Sequence, residues 1–502
     1  MELLGTPGSS SFFATNKVYI MTHSSLRDRA VSGMIWSIVE RFLVQGVQFG
    51  ISIVLARIIS PSDFGLIGMV AIFIVLSDII INSGFTQALI QKKDRTQVDY
   101  STVFYFNLLI SIILYGGIYF IAPFVAEFYN SPAITHIVRV LGISIIIKSL
   151  CLVQTTKLSI ELNFKLRAKV NFLSVVISGT IALYLAYHEY GAMALVYQTI
   201  INSICVTILL AIFLKWRPNF VFSFDSLKQL FGFGSKLLFA SFVRTIVDNC
   251  YSILIGRFFS SKEVGYYTQG RNIPDLISVN LFNILQGVLF PIMSATQDDR
   301  ERLIRIYKKS LDMTAFIVMP AMVGFTFLAE PFVHYFLTDK WLPAVVVIQW
   351  ICLSRMIIPL SALNCSLINA VGRSDTYLKV DLSKLPITIG ALLLTAPYGL
   401  TAVVIGNFFV SLICFFINSY YPGKWYGHGA LQQIKSMLPM ILATLIMSVV
   451  LWFIKIDNGI YEILTKIIIG ALVYYLASMS LRISSCEEIN KIILSKIKRK
   501  HS

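Results

Sequence analysis

The chain has 502 residues, of which 56% are hydrophobic and only 14% are charged. Soluble proteins carry roughly 25% charged residues, and the mean hydropathy of +0.74 indicates that lipid surrounds most of this chain. Ordinary aqueous enzymes and nucleic-acid-binding proteins are therefore excluded. The 42 Lys and Arg residues outnumber the 26 Asp and Glu residues, as is typical of loops that face an anionic inner leaflet.

Residues 1–30 form a polar tail, predicted to be cytoplasmic, with no apolar run long enough for a signal peptide. We expect the first membrane helix to direct insertion. The sequence from Met21 is more typical of a translation start than Met1. Residues 1–20 are therefore predicted to be an upstream mis-start or a disordered tail.

Apolar runs of about 20 residues, the length that crosses a bilayer, predict fourteen membrane helices. The predicted spans are 31–56, 64–91, 101–126, 134–153, 170–187, 191–214, 230–259, 272–296, 311–337, 342–369, 377–396, 399–420, 437–455 and 461–481. The predicted fold is all-α, with two pseudo-symmetric six-helix lobes around a central cavity and two C-terminal helices. The lobes are 31–214 and 230–420, joined by a cytoplasmic linker at 215–229; accessory helices at 421–481 precede a basic cytoplasmic tail at 482–502.

Basic residues set the predicted orientation of these spans. The six loops that share a side with the amino terminus, together with the helix ends beside them, hold 19 Lys and Arg residues, and the loops on the other side hold far fewer. Basic loops stay in the cytoplasm, so both termini are predicted to be cytoplasmic, in a bacterial inner membrane.

Two segments 200 residues apart share one pattern. Arg57, Ser60, Asp63 and Gly65 recur as Arg257, Ser260, Glu263 and Gly265. At the same offset, the polar positions Arg41, Gln45, Gln48 and Ser52 recur as Ser241, Thr245, Asp248 and Ser252. This spacing places each polar set on one helix face. The two matches together indicate an internal duplication in which both halves share one orientation, the geometry of transporters with a central site.

Ionisable residues at mid-bilayer depth each cost at least roughly 2.5–3.5 kcal/mol, so each needs a partner or a watery cavity. Ion pairing between helices is the structural interpretation. The duplicated polar stripes favour a cavity, and its predicted lining and cargo-binding residues are Arg41, Gln45, Gln48, Arg244, Asn249 and Arg355. Asp78 and Asp248 are predicted to act in ion coupling or gating, with H⁺ or Na⁺ as the coupling ion.

Three other features receive structural interpretations. Lys148 is expected to lie near a cytoplasmic helix end and to extend its ammonium group to the interface. Gly46 and Gly50 form a small-xxx-small motif expected to let the first helix pack closely. The seven cysteines and six histidines are scattered without CxxC or HExxH motifs, and no Walker sequence is present, so no metal, cofactor or ATPase site is predicted.

Several motifs together resemble those of bacterial polysaccharide exporters. They include LARIISPSDFGLIG at 55–68, NSGFTQALIQ at 82–91, EFYNSP at 127–132 and KWLPA at 340–344, with further matches at 265–271, 290–294 and 369–375. The resemblance, over about residues 30–420, is to the O-antigen, colanic-acid and teichuronic-acid flippases. These belong to the multidrug/oligosaccharidyl-lipid/polysaccharide exporter superfamily.

The resemblance implies transfer of an undecaprenyl-pyrophosphate-linked oligosaccharide to the outer leaflet, with polysaccharide polymerase and assembly proteins as partners. A cationic cavity suits the pyrophosphate independently of the resemblance. The nearest alternative is a cation-coupled multidrug antiporter of the same fold, whose cavity should instead be acidic. A third alternative, a glycan-polymerising enzyme, needs a large outer loop, and the longest predicted one is only 259–272.

Overall fold

The structure, a computed structural model, describes residue 36 and residues 40–82, 85–92, 94–456 and 459–491. Residues 1–20 and the end of the basic tail therefore lie outside the described residues. Every regular element described is helical, which confirms the all-α prediction.

The first half of the chain forms eight helices: α1 (Glu40–Ile58), α2 (Pro61–Asn82), α3 (Phe85–Gln91), α4 (Gln97–Phe128), α5 (Ala133–Ile160), α6 (Phe164–Tyr187), α7 (Ala192–Phe213) and α8 (Phe224–Phe258). The second half forms α9 (Ser261–Ala295), α10 (Arg300–Phe332), α11 (Ala344–Ala370), α12 (Ser374–Ser383), α13 (Leu385–Thr395), α14 (Leu400–Tyr426), α15 (Ala430–Phe453) and α16 (Gly459–Ser480). Short π and 3₁₀ turns, Val333–Leu337 and Asp339–Trp341, follow α10.

Twelve stretches of the described residues are long and apolar enough to cross a membrane, so the chain is a multi-pass membrane protein. The other two predicted spans correspond to α8 and α9, which have 35 residues each. The described residues of the span predicted at 64–91 belong to α2 and α3. The span predicted at 377–396 contains α12 and α13, which together form one of the twelve membrane-spanning stretches, Asp375–Tyr398. The break between α12 and α13 falls just before Pro386, because proline lacks a backbone N–H and fits only the first turn of a helix.

The chain forms two compact units. Unit 1 contains the described residues up to Ile59 together with Val70–Ile246, and unit 2 contains Ser60–Met69 together with Val247 onward. The predicted lobe boundaries remain predictions.

Within unit 1, the segment between α7 and α8 is fixed against the start of α4. Trp216 donates its indole N–H to Gln97 at 2.8 Å, and Ser226 donates its hydroxyl to the buried carboxylate of Asp99. Lys92 pairs with the same carboxylate at 2.7 Å. The interior polar groups of this segment are therefore satisfied.

Within unit 2, the duplicated segments contact each other. Ser260 and Glu263 form a capping box at the start of α9, and the Ser60 hydroxyl accepts the Asp63 backbone N–H at 3.2 Å at the start of α2. A Cβ at Gly65 would lie 1.6 Å from the Ser261 carbonyl oxygen. Reciprocally, a Cβ at Gly265 would lie 1.9 Å from the carbonyl oxygen of Pro61, 200 positions before Ser261. The two copies therefore cross with backbone contact in a pseudo-two-fold arrangement.

A buried hydrogen-bonded network joins the C-terminal helices to the rest of unit 2. Gln433 of α15 donates to Asn364 of α11 at 2.9 Å and to the Tyr307 hydroxyl of α10 at 3.0 Å. It also donates to the His428 carbonyl oxygen at 2.9 Å. Because these groups are buried, a mispositioned α15 would leave several of them unpaired. The accessory helices are thus an integral part of unit 2.

Candidate functional site

A cluster of charged side chains links α9 to α11 inside unit 2. Asp275 accepts a hydrogen bond from Arg271, one helical turn away, at 2.9 Å. The other carboxylate oxygen of Asp275 accepts from Nε of Arg355, which lies near the middle of α11. One carboxylate therefore holds two guanidinium groups that come from different helices.

Polar neighbours complete the cluster. Arg271 donates to the Ser252 hydroxyl at 3.2 Å, and Ser278 donates to the Arg355 carbonyl oxygen at 2.8 Å. Ser252 is a member of the predicted stripe on α8. The structure thus brings Ser252 into contact with the cluster, and the role predicted for the stripe remains a prediction.

Among the residues that the structure describes, the cluster carries an excess positive charge, because two arginines share one carboxylate. The Arg355 side chain is only 14% exposed, and arginine keeps its proton even when it is buried. Guanidinium groups bind phosphate oxygens through paired N–H donors. The arrangement can therefore accept an anion, whereas a cation would meet net repulsion.

The predicted site residues have different outcomes. Arg355 belongs to the cluster, and Asn249 is a half-buried residue of α8 with an interaction partner. The side chains of Arg244 and Asp248 lie outside the described residues. In unit 1, Arg41 and Gln48 are exposed on α1 and Gln45 is half-buried. The roles predicted for all these residues remain predictions.

Arg271 and Asp275 were absent from the predicted site. Their i, i+4 spacing within a membrane helix was visible in the sequence, since such residues share a helix face. The contact with Arg355 was not visible, because it joins positions 80 residues apart. Among the described residues, no group of three or more His, Cys, Asp or Glu could hold a metal ion.

Asp78 of α2 has a partner in unit 1. The Lys148 ammonium contacts its two carboxylate oxygens at 2.8 and 3.1 Å. The expectation that Lys148 reaches for the interface near a helix end is therefore wrong, because it lies inside α5 and meets a carboxylate there. Burial of one charge within a membrane is offset by an opposite charge at contact distance.

Two further features of α1 lie within unit 1. Glu40 is buried and is bound by Arg167 at 3.3 Å and by the Asn171 amide at 2.6 Å, so it is an interhelical ion pair. Gly46 and Gly50 have no described atom within 4 Å of a Cβ built on them. The described residues therefore show no close packing on this motif, whose packing role stays a prediction, whereas Ile51 of α1 packs closely onto Gly179 of α6.

Comparison with known proteins agrees with this architecture. The chain is 24% identical over 392 residues to lipopolysaccharide biosynthesis protein WzxC of Escherichia coli K12, covering 78% of this chain and 80% of that one. It is 25% identical over 356 residues to teichuronic acid biosynthesis protein TuaB of Bacillus subtilis 168, covering 70% and 73%.

Solved structures share the fold. The lipid II flippase MurJ in an inward closed conformation matches with a TM-score of 0.68 at 16% identity, over 90% of this chain and 99% of that chain. An inward-facing multidrug resistance MATE family transporter matches with a TM-score of 0.59 at 17% identity, over 78% and 96%.

A family model described as "polysaccharide biosynthesis protein" matches residues 54–346, more than half of the chain. This match confirms the resemblance that the sequence motifs indicated. The chain therefore belongs to the polysaccharide biosynthesis protein family of multi-pass membrane proteins.

Proposed function

We propose that this protein is a flippase that moves an undecaprenyl-pyrophosphate-linked oligosaccharide from the cytoplasmic to the outer leaflet of the bacterial inner membrane. The product would supply O-antigen, capsule or exopolysaccharide synthesis. The observation that carries the proposal is the net-positive cluster of Arg271, Asp275 and Arg355. Membership of the family and the names of the relatives support the same class of cargo.

In this proposal, Arg355 and Arg271 bind the pyrophosphate of the cargo. Asp275 holds both guanidinium groups in place while the site is empty, so that little ordering remains to be done when cargo arrives. The same carboxylate competes with the pyrophosphate for these donors. Competition matters because a transport site must also release its cargo.

In this proposal, the polar residues on α1 of unit 1 also contact the cargo. Arg41, Gln45 and Gln48 supply a charge and amide groups suited to phosphate oxygens and sugar hydroxyls. Alternating access would expose the site to each side in turn, driven by H⁺ or Na⁺ through Asp78 and Asp248. In this proposal, the ion pair between Asp78 and Lys148 responds to the coupling ion, since protonation of the carboxylate would release the ammonium group.

The test compares Arg355→Ala, Arg355→Lys and the double variant Arg355→Ala/Asp275→Ala. Surface polysaccharide is measured relative to the amount of protein in the membrane, together with lipid-linked repeat units retained in the inner leaflet. We expect almost no export from Arg355→Ala and partial export from Arg355→Lys. Lysine keeps the positive charge but lacks the paired N–H donors of the guanidinium group. Arg302→Ala, which removes an exposed arginine at the start of α10, is the matched control.

Two results would contradict the proposal. Full export by a well-expressed Arg355→Ala variant would show that Arg355 does not bind the cargo. Rescue of export in the double variant would make the arginine a structural partner of Asp275. The multidrug antiporter alternative predicts efflux of a cationic dye such as ethidium, which the positive cluster disfavours.

A further inference from the structure

A cavity in unit 2 shares no lining residue with the arginine cluster. It has a volume of about 930 Å³, within the usual range for small-molecule sites. Its walls are the C-terminal ends of α10 and α15 and the N-terminal ends of α11 and α16. All four lie at one end of the helix bundle, the end that the basic residues predict to face outward.

The walls combine aromatic rings with hydrogen-bonding groups. Trp350 and Trp452 contribute ring surface, and Glu330, His334, Gln349 and Lys455 contribute donors and acceptors. Trp350 is supported from behind by Phe408, with ring centroids 5.6 Å apart. Gln349 is oriented by donation to the Thr326 carbonyl oxygen at 3.3 Å. Trp350 and Gln349 are therefore held in place before any ligand arrives.

The charges of this cavity are balanced. Lys466 is buried, forms an ion pair with Glu462 and donates a hydrogen bond to the Phe327 carbonyl oxygen at 3.2 Å. His334 is bonded to Asp339. The remaining ionic groups of the lining, Glu330 and Lys455, have opposite signs. In contrast to the arginine cluster, the described lining residues carry no excess charge that would favour an anion over an uncharged ligand.

We propose that this cavity is a saccharide-binding site that holds uncharged sugar residues of the transported glycan on the outer side of the membrane. Pyranose rings present C–H faces that pack on tryptophan rings, and their hydroxyls accept from amide and ammonium groups and donate to carboxylates. The inference rests on the proposed function, because that function brings a glycan to this end of the bundle.

The position of the cavity suggests what it adds to transport. The family model matches residues 54–346, whereas seven of the sixteen lining residues come from α15, α16 and the segment between them, beyond that range. The cavity is thus suited to select the particular glycan that this protein transports. Retention of the glycan there would also disfavour its return to the inner leaflet for as long as it stays bound.

The experiment measures binding to the full chain in nanodiscs. The probe is the free oligosaccharide released by mild acid from the producing cell's own lipid-linked pool, titrated and followed by saturation-transfer NMR. We expect Trp452→Ala to raise the dissociation constant about tenfold and Glu330→Gln to raise it measurably. Phe453→Ala is the matched control, because Phe453 is 79% exposed, next to the 69% exposed Trp452, and does not line the cavity.

Arg355→Ala separates this inference from the proposed function. Free glycan should still bind that variant normally even though its export fails. If Trp452→Ala binds the glycan as tightly as the wild type does, the cavity is not a saccharide site, whatever happens to export. If short-chain phosphatidylglycerol or phosphatidylethanolamine binds at Trp452 and the glycan does not, the cavity is a lipid headgroup site and the inference is overturned.

Discussion

Replacement of Gly65 by alanine tests the crossing of the duplicated segments. The new Cβ would lie 1.6 Å from the Ser261 carbonyl oxygen and 2.9 Å from the Gly265 nitrogen, whereas ordinary contact begins at 3.4 Å. Both obstacles are backbone atoms, which cannot rotate away as a side chain can. The two helices must therefore separate by roughly 2 Å, and overpacking of this kind costs about 1–3 kcal/mol.

The assay is thermal unfolding of the purified protein, followed by the loss of the monodisperse species. We expect the apparent Tm of Gly65→Ala and Gly265→Ala to fall by roughly 5 °C. Gly68→Ala should lose less, because its Cβ would meet the Thr268 hydroxyl at 2.5 Å and that side chain can rotate.

Gly50→Ala is the matched control, since no described atom lies within 4 Å of its Cβ. Alanine favours a helix over glycine by about 1 kcal/mol, so this variant should melt at the wild-type temperature or above it. Equal melting temperatures for Gly65→Ala and Gly50→Ala would refute the tight crossing.

Three further predictions concern charge. Lys148→Ala should lower the amount of protein in the membrane, because it leaves Asp78 unpaired. Adding Asp78→Asn to that variant should restore the amount of protein but not export. Normal export by the double variant would show that the pair is purely structural. Burial, assisted by the charge of Lys308, lowers the pKa of His428 from 6.5 to about 4, so the unfolded chain takes up a proton between these values while the native chain does not. Stability should therefore fall as the pH drops from 6.5 to 4, and His428→Gln should flatten that dependence; an unchanged slope of Tm against pH would contradict it. Reporter fusions after Lys228 and Lys308 should report the cytoplasm, and one after Lys340 should report the outside; a reversed signal at any of them would exclude the predicted topology.

The sequence alone determined the helical membrane fold, because a bilayer permits few solutions. A chain crossing lipid must satisfy its backbone internally, so each apolar run of sufficient length becomes a helix. The duplication was also visible in the sequence, because helix capping depends on local residues. Ser60 and Ser260, which recur at one fixed offset, form equivalent local hydrogen bonds at the starts of their helices. Family membership followed from motifs that depend only on residue order.

Contacts between distant positions were decided only by the tertiary structure. Lys148 and Arg355 were both recognised as charges in membrane helices, but their partners lie 70 and 80 residues away. Helical spacing specifies which side chains share a face and leaves open which helix that face meets. Gly50 and Gly65 illustrate this limit: both lie in apolar helices, and only Gly65 meets a second backbone, because the packing of α2 against α9 brings the duplicated segments together.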